Sequence, residues 1–207
     1  MAEFAITGGI GSGKSTVAAA LETKGAKLVD ADEVVRDLQQ PGGEIFVNLV
    51  QVFGDVIVTK DGELDRQKLA DIAFSDPDEL ERLNKIVHPA VGEEMKKRRD
   101  AFVRLGHIVL IDIPLMVTPE GDLARKEYEE FVGKIVVDCD EKTAVSRLVE
   151  FRGFRDDDAW ARIDKQASRD QRLKFADFVI DNNGDNASLE PQIEECWFWM
   201  TSLVSEE

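Results

Sequence analysis

Cysteine is scarce in this sequence, with two in 207 residues. Cys139 and Cys196 lie far apart and form no C-x-x-C pair, so neither a disulfide framework nor a zinc site is indicated. We expect both to behave as small buried hydrophobic side chains rather than as ligands.

Long hydrophobic runs are also missing. No apolar stretch approaches the ~20 residues that a membrane span needs. The first four residues, Met-Ala-Glu-Phe, include neither a basic segment nor a long apolar segment of the secretory type. We therefore expect a cytoplasmic protein that has no membrane partner.

Positive charge is in short supply, because 26 Lys and Arg face 42 Asp and Glu, a formal net charge of −16. Nucleic acids and anionic membranes need a basic face, so neither is expected as a partner. No obligate protein partner is evident either. Any anionic ligand must be attracted by a local cluster of Lys and Arg.

What the sequence does contain is a glycine-rich segment, GGIGSGKST, at residues 8–16. It follows the apolar run Phe-Ala-Ile, precedes a helix-forming run, and fits the pattern G-x-x-x-x-G-K-[ST]. Backbone N–H groups of such a loop, together with the helix dipole, form an anion site. Lys14 would reach the outer phosphates and Ser15 would help to hold Mg²⁺. The segment predicts binding of a nucleoside triphosphate through Gly9, Ile10, Gly11, Ser12, Gly13, Lys14, Ser15 and Thr16.

Strands and helices alternate along the chain. Apolar runs predict strands near 3–7, 27–29, 107–112, 134–138 and 178–181, with helices between them. This alternation predicts an α/β fold with a doubly wound, five-stranded parallel sheet. We expect one domain over residues 1–207, with a helical insert at about 44–106 that forms a substrate wall. The helix that begins near Asp76 is expected to be disturbed at His88–Pro89.

Two acidic residues follow the second predicted strand. Asp30 and Asp32 have the i, i+2 spacing that places side chains on one face of a strand, at the sheet edge where ligands bind in this architecture. A carboxylate there could accept the proton of an acceptor hydroxyl, as a small-molecule kinase requires. Asp32 could instead cap the following helix. Asp112, at the end of the third strand, could bind Mg²⁺ through water or simply cap the strand.

Other phosphate-loop classes fit less well. The guanine-binding N-K-x-D motif of GTPases is missing, since Asn84-Lys85 lacks the aspartate, and no arginine-rich surface suggests a motor.

The ordered motifs resemble the dephospho-CoA kinase family over nearly the whole chain. The matching stretches are TGGIGSGKST at 7–16, VDAD at 29–32 with Arg36 beyond it, LDRQKLADIAF at 64–74, LNKIVHPAV at 83–91, IPLM at 113–116 and QASRDQRLKFADFVIDNNG at 166–184.

This resemblance implies transfer of the ATP γ-phosphoryl group to the ribose 3′-hydroxyl of dephospho-coenzyme A, which would be the substrate. It implies that Asp32 is the general base and Lys14 a catalytic phosphate ligand. It further implies a lid at about 147–170, with Arg147 and either Asn182 or Asn183, of which we favour Asn183, at the ATP site. The acceptor-side residues that we expect are Asp30, Arg36, Arg66, His88, Pro114 and Leu115.

The chain departs from the family pattern in two places. Where the family usually has an acid soon after IPLM, this sequence has Thr118, with Glu120 two residues on. The lid spacing around RGFR is shifted, so either Arg152 or Arg155 could be the lid arginine.

Two alternative functions stay open: another phosphate-loop metabolite kinase such as shikimate kinase, or an inactive ATP-binding regulator. His88 could also be a core histidine.

Overall fold

A computed structural model describes residues 2–205, with residue 186 described by its backbone. Its centre is a five-stranded parallel sheet with the order β2-β3-β1-β4-β5. The strands are β1 (Glu3–Gly8), β2 (Lys27–Asp30), β3 (Val109–Asp112), β4 (Gly133–Asp138) and β5 (Phe178–Asp181). The predicted doubly wound sheet is confirmed.

Helices connect these strands, as the alternating pattern predicts. They are α1 (Lys14–Lys24), α2 (Ala31–Leu38), α3 (Glu44–Phe53), α4 (Arg66–Ser75), α5 (Pro77–Arg104), α6 (Glu141–Arg152), α7 (Asp156–Ile163), α8 (Arg169–Leu173) and α9 (Asn186–Ser205). Two short 3₁₀ turns lie at Asp55–Ile57 and Lys126–Glu130. In the described part of the chain no helix has the length and apolar character that crossing a membrane requires.

The chain divides into two compact units, one formed by Met1–Leu28 with Ala101–Glu207 and the other by Val29–Asp100. The core of the first unit is built on the sheet. Phe4 and Ile6 of β1 are fully buried and pack with Leu21 of α1 and with Cys196 and Met200 of α9. Burial of this apolar surface fixes β1, and with it the start of the glycine-rich loop, at the centre of the sheet.

The second unit has its own helical core. Val34, Ile45, Leu49, Ile57 and Leu69 are buried there.

Helix α5 runs without interruption through Pro89, so the prediction of a disturbance at His88–Pro89 was wrong. Proline removes one N–H and disfavours the helical conformation of the preceding residue. Neighbouring side chains of α5, Ile86, Val87 and Ala90, pack into the second core and favour the helix over that local preference. His88 is exposed, so it is not a core histidine.

The second strand does not extend as far as Asp32. It ends at Asp30, and α2 begins at Ala31. Asp30 and Asp32 therefore do not share a strand face, and that expectation was wrong. The Asp30 carboxylate accepts hydrogen bonds from the N–H groups of Asp32 (2.7 Å) and Glu33 (3.4 Å). Asp30 is thus the helix cap, a role that sequence reasoning had considered for Asp32.

Candidate active site

The glycine-rich loop leaves the carboxyl end of the central strand β1 and leads directly into α1. Gly11 and Gly13 have φ angles of +78° and +87°, in the left-handed region that favours glycine. Gly13 is also the residue that precedes the first turn of α1. The loop therefore presents the free N–H groups of a helix start at the edge of the sheet, where an anion is stabilised.

Side chains from distant parts of the first unit hold this loop. Asn182, buried at the end of β5, donates its Nδ2 to the Ser12 carbonyl at 2.7 Å. Arg147 of α6 donates Nη1 to the same carbonyl at 3.5 Å. The Ile10 N–H donates to Oε1 of Gln166 at 2.9 Å. These contacts fix the loop backbone before any ligand binds, which lowers the entropy cost of binding.

Lys14 forms an ion pair with Asp112. Its Nζ donates to both carboxylate oxygens, and Asp112 is only 7% exposed at the end of β3, opposite Ile6 of β1. The sequence suggested that Asp112 binds Mg²⁺ through water or caps the strand, and this ion pair is a different role from either. The observed contact places the ammonium group of Lys14 at the carboxyl edge of the sheet.

A cavity of about 350 Å³ adjoins the loop. It is lined by Gly11, Gly13, Thr16, Arg147, Leu148, Phe151, Arg152, Asn182 and Leu189. Its volume lies in the range of small-ligand sites, and the apolar, amide and guanidinium groups suit a heteroaromatic ring. The loop and the cavity together have the features required to hold a phosphorylated nucleoside.

The structure separates the two residue pairs that the sequence left open. Asn182 lines the cavity, whereas Asn183 is exposed and accepts a hydrogen bond from the Asp140 N–H at 2.7 Å. Arg152, the last residue of α6, lines the cavity, whereas the exposed Arg155 pairs with Asp157 at 2.9 Å. Asn182 and Arg152 are therefore the members placed beside the loop.

Several other residues singled out in the sequence also lie in the first unit. Ser15 and Thr16 are exposed in the first turn of α1. Pro114 and Leu115 are exposed just after β3, and Leu115 is 62% exposed. Glu120 is also exposed.

The predicted acceptor-side residues lie mainly in the second unit. Asp32 and Arg36 are exposed on α2, Arg66 is exposed at the first position of α4, and His88 is exposed on α5. Asp30 is half-buried as the cap of α2. Apart from Asp30, these side chains contribute little to the core of their unit and are available to a ligand.

Sequence reasoning missed several residues around the loop. Gln166 binds the loop backbone, and Arg172 of α8 lies against Gly9. Arg169 pairs with the buried Asp138, with Nη2 donating to Oδ2 at 2.5 Å. The signal was the dense polar stretch QASRDQR, but nothing in its spacing shows which of its residues face the loop.

Comparison with known proteins identifies the relatives of this chain. The family model described as dephospho-CoA kinase matches residues 3–188. The dephospho-CoA kinase of Thermobifida fusca is 42% identical over 197 residues, 95% of each chain. That of a Corynebacterium glutamicum strain is 44% identical over 185 residues, covering 89% of this chain and 90% of the relative.

Solved structures share this fold. A Thermus thermophilus protein matches with a TM-score of 0.70 and 29% identity, over 95% of this chain and 96% of that one. The Campylobacter jejuni dephospho-CoA kinase has the same fold, with a TM-score of 0.70, 21% identity and 97% coverage of both chains. The family model and the relatives of more than 40% identity show that the chain belongs to the dephospho-CoA kinase family.

Proposed function

We propose that this chain transfers the γ-phosphoryl group of ATP to the ribose 3′-hydroxyl of dephospho-coenzyme A, releasing coenzyme A and ADP. The observation that carries the proposal is the family match, which spans the phosphate loop and every motif named above. It also favours this reaction over that of shikimate kinase.

ATP binds with its phosphates on the loop at residues 9–16 and its base in the adjoining cavity. Arg147, Arg152 and Asn182 line that cavity, and the loop glycines allow close approach of the phosphates. Lys14 moves from Asp112 to the outer phosphates, because an ammonium group is attracted to the greater negative charge of the triphosphate. The segment at about 147–170 serves as the lid.

Asp32 is the general base. Its carboxylate is exposed in the first turn of α2, immediately after β2, and therefore accessible to an acceptor hydroxyl. It accepts the proton of the 3′-hydroxyl as the oxygen attacks the γ-phosphorus in line with the leaving ADP oxygen. Asp30, Arg36, Arg66, His88, Pro114 and Leu115 contribute to the acceptor site.

Mg²⁺ fits this arrangement. In the described residues no group of three His, Cys, Asp or Glu side chains could hold a metal ion by itself. Mg²⁺ commonly uses one or two protein oxygens and completes its shell with phosphate and water oxygens. The exposed Ser15 hydroxyl at the start of α1 is a suitable protein ligand. The ion would neutralise charge on the phosphate oxygens.

The test is coupled detection of ADP release with dephospho-coenzyme A, with shikimate and with no acceptor. We expect turnover with dephospho-coenzyme A alone and identification of the product as the 3′-phosphate. Asp32→Asn should lower kcat by about 100-fold or more while ATP binding is kept, since general-base catalysis contributes roughly that much.

Glu33→Gln is the matched control, because Glu33 is the next exposed carboxylate in the same helical turn. It should keep nearly full activity. ATP binding without turnover of any acceptor would instead identify a regulator, and equal losses in the two variants would refute Asp32 as the base.

A further inference from the structure

Arg172 has an unusual position, partly buried against the phosphate loop. A Cβ atom built on Gly9 would lie 2.8 Å from Nη2 of Arg172, so the guanidinium group contacts the backbone of the loop directly. The loop segment GGIGSGKST contains no acidic side chain that would attract an arginine. Arginine usually exposes its charged end to water.

The hydrogen bonds of Arg172 are largely unsatisfied by protein groups. Nη1 donates to the Ala167 carbonyl, while Nε is buried without a hydrogen-bond partner among residues 2–205. A buried donor without a partner is costly to the fold, so its retention calls for an explanation.

The guanidinium group of Arg172 also has no carboxylate of its own as a direct partner. No carboxylate of the described residues forms an ion pair with it, and the Asp138 carboxylate is occupied by Arg169. Burial lowers the pKa of Arg172, and the nearby Asp138 carboxylate opposes that effect only in part. An arginine side chain nevertheless keeps its proton in proteins. The surroundings of Gly9 therefore hold a fixed positive charge that no carboxylate of the described residues contacts directly.

We propose that Arg172 is a phosphoryl-binding residue, whose guanidinium group takes an anionic oxygen of the triphosphate held by the loop. The inference rests on the nucleotide half of the proposed function, and the anion it requires is a phosphate chain. Lys14 is paired with Asp112, whereas Arg172 is ready to bind without exchanging a protein partner. A bound phosphoryl oxygen would accept a hydrogen bond from the guanidinium group and balance its charge.

The experiment measures binding of sodium tripolyphosphate, ATP and adenosine by calorimetry, without any acceptor. Arg172→Met should weaken tripolyphosphate and ATP by about tenfold or more, the typical effect of losing a hydrogen bond to a charged group, and leave adenosine unchanged. Arg172→Lys should recover part of the loss. Lys174→Met is the matched control, since it removes one exposed positive charge from the same segment and should bind as wild type does.

Two results would overturn the inference: tripolyphosphate affinity of Arg172→Met within twofold of wild type, or an equal loss for adenosine. Circular dichroism checks folding, and Arg172→Gln replaces the Met variant if that variant unfolds. If both variants unfold, the test is instead the chemical shift of the Nε–Hε NMR signal of Arg172 in the wild-type protein. A shift during tripolyphosphate titration supports the inference, and an unmoved signal at saturation refutes it. Because no acceptor is present, failure to phosphorylate dephospho-coenzyme A would leave this test unaffected.

Discussion

The contact between Gly13 and Asn182 allows a quantitative test of how the phosphate loop is held. A Cβ atom at Gly13 would lie 2.2 Å from Nδ2 of Asn182, and the φ angle of Gly13 is +87°. In Gly13→Ala the side chain of Asn182 must move, and its 2.7 Å hydrogen bond to the Ser12 carbonyl is lost.

The expected cost has two parts. Placing alanine in the left-handed region costs about 1–2 kcal/mol. Breaking the buried hydrogen bond and leaving its groups unsatisfied costs a further 1–3 kcal/mol or so. Gly13→Ala should therefore lower the free energy of unfolding by about 2–5 kcal/mol, a large share of the ~5–15 kcal/mol typical of a domain.

Gly106→Ala is the control, because Gly106 has a φ of +74° and nothing within 4 Å of a built Cβ atom. It should cost only the backbone part, about 1–2 kcal/mol. The assay is urea unfolding followed by tryptophan fluorescence, with ATP binding measured in parallel.

A double-mutant cycle isolates the contact itself. Asn182→Ala removes the obstacle, so adding Gly13→Ala to it should cost only as much as Gly106→Ala does. The reasoning is refuted if Gly13→Ala costs no more than Gly106→Ala in the wild-type background, or if the Gly13 and Asn182 substitutions are simply additive.

Three further predictions concern charge, capping and thiol reactivity. Lys14→Met should reduce the free energy of unfolding by about 3 kcal/mol and exceed Asp112→Asn in its effect, because it removes the ammonium group that pairs with a buried carboxylate, while the lysine of Asp112→Asn can reach water; urea unfolding checks the order. Asp30→Ala should cost about 1 kcal/mol in the same assay through loss of the α2 cap, and no change would contradict the capping role. Burial raises the pKa of Cys196 to about 12 and raises that of Cys139, so neither thiol should react readily with a disulfide reagent at pH 8 until urea is added. Equal labelling of native and unfolded protein would contradict the expected difference in thiol reactivity. Since the native pKa of Cys196 exceeds the unfolded value of 9.0, its contribution to stability is full below pH 9 and declines as pH rises toward 12.

The sequence determined the sheet because its signals are local. Apolar runs of strand length, alternating with helical segments, fix a parallel α/β fold whatever the detailed packing. The loop at residues 8–16 is equally local, since its glycines, Lys14 and Ser15 are contiguous and define an anion site through their own backbone. The buried state of both cysteines followed from the scarcity and spacing of that residue, and it is confirmed.

Local rules also explain the errors. The spacing of Asp30 and Asp32 suggested a shared strand face, yet the cap of α2 by the Asp30 side chain ends the strand first. Proline predicted a break at Pro89, yet the packing of α5 into the second core outweighs one missing hydrogen bond. In both cases an interaction of about 1 kcal/mol or more, invisible to a residue-by-residue pattern, decided the outcome.

Only the tertiary structure decided which side chains meet the loop. Asn182 rather than Asn183 binds Ser12, Asp112 pairs with Lys14, and Arg172 lies against Gly9. Each partner lies about 100 or more residues from the loop, and its side-chain direction depends on strand register and on where a helix ends. The sequence thus specified an anion-binding loop on a parallel sheet, because neighbouring residues suffice for that. The packing of distant segments specified which charges and amides complete the site, because the chain must fold before they come within hydrogen-bonding distance.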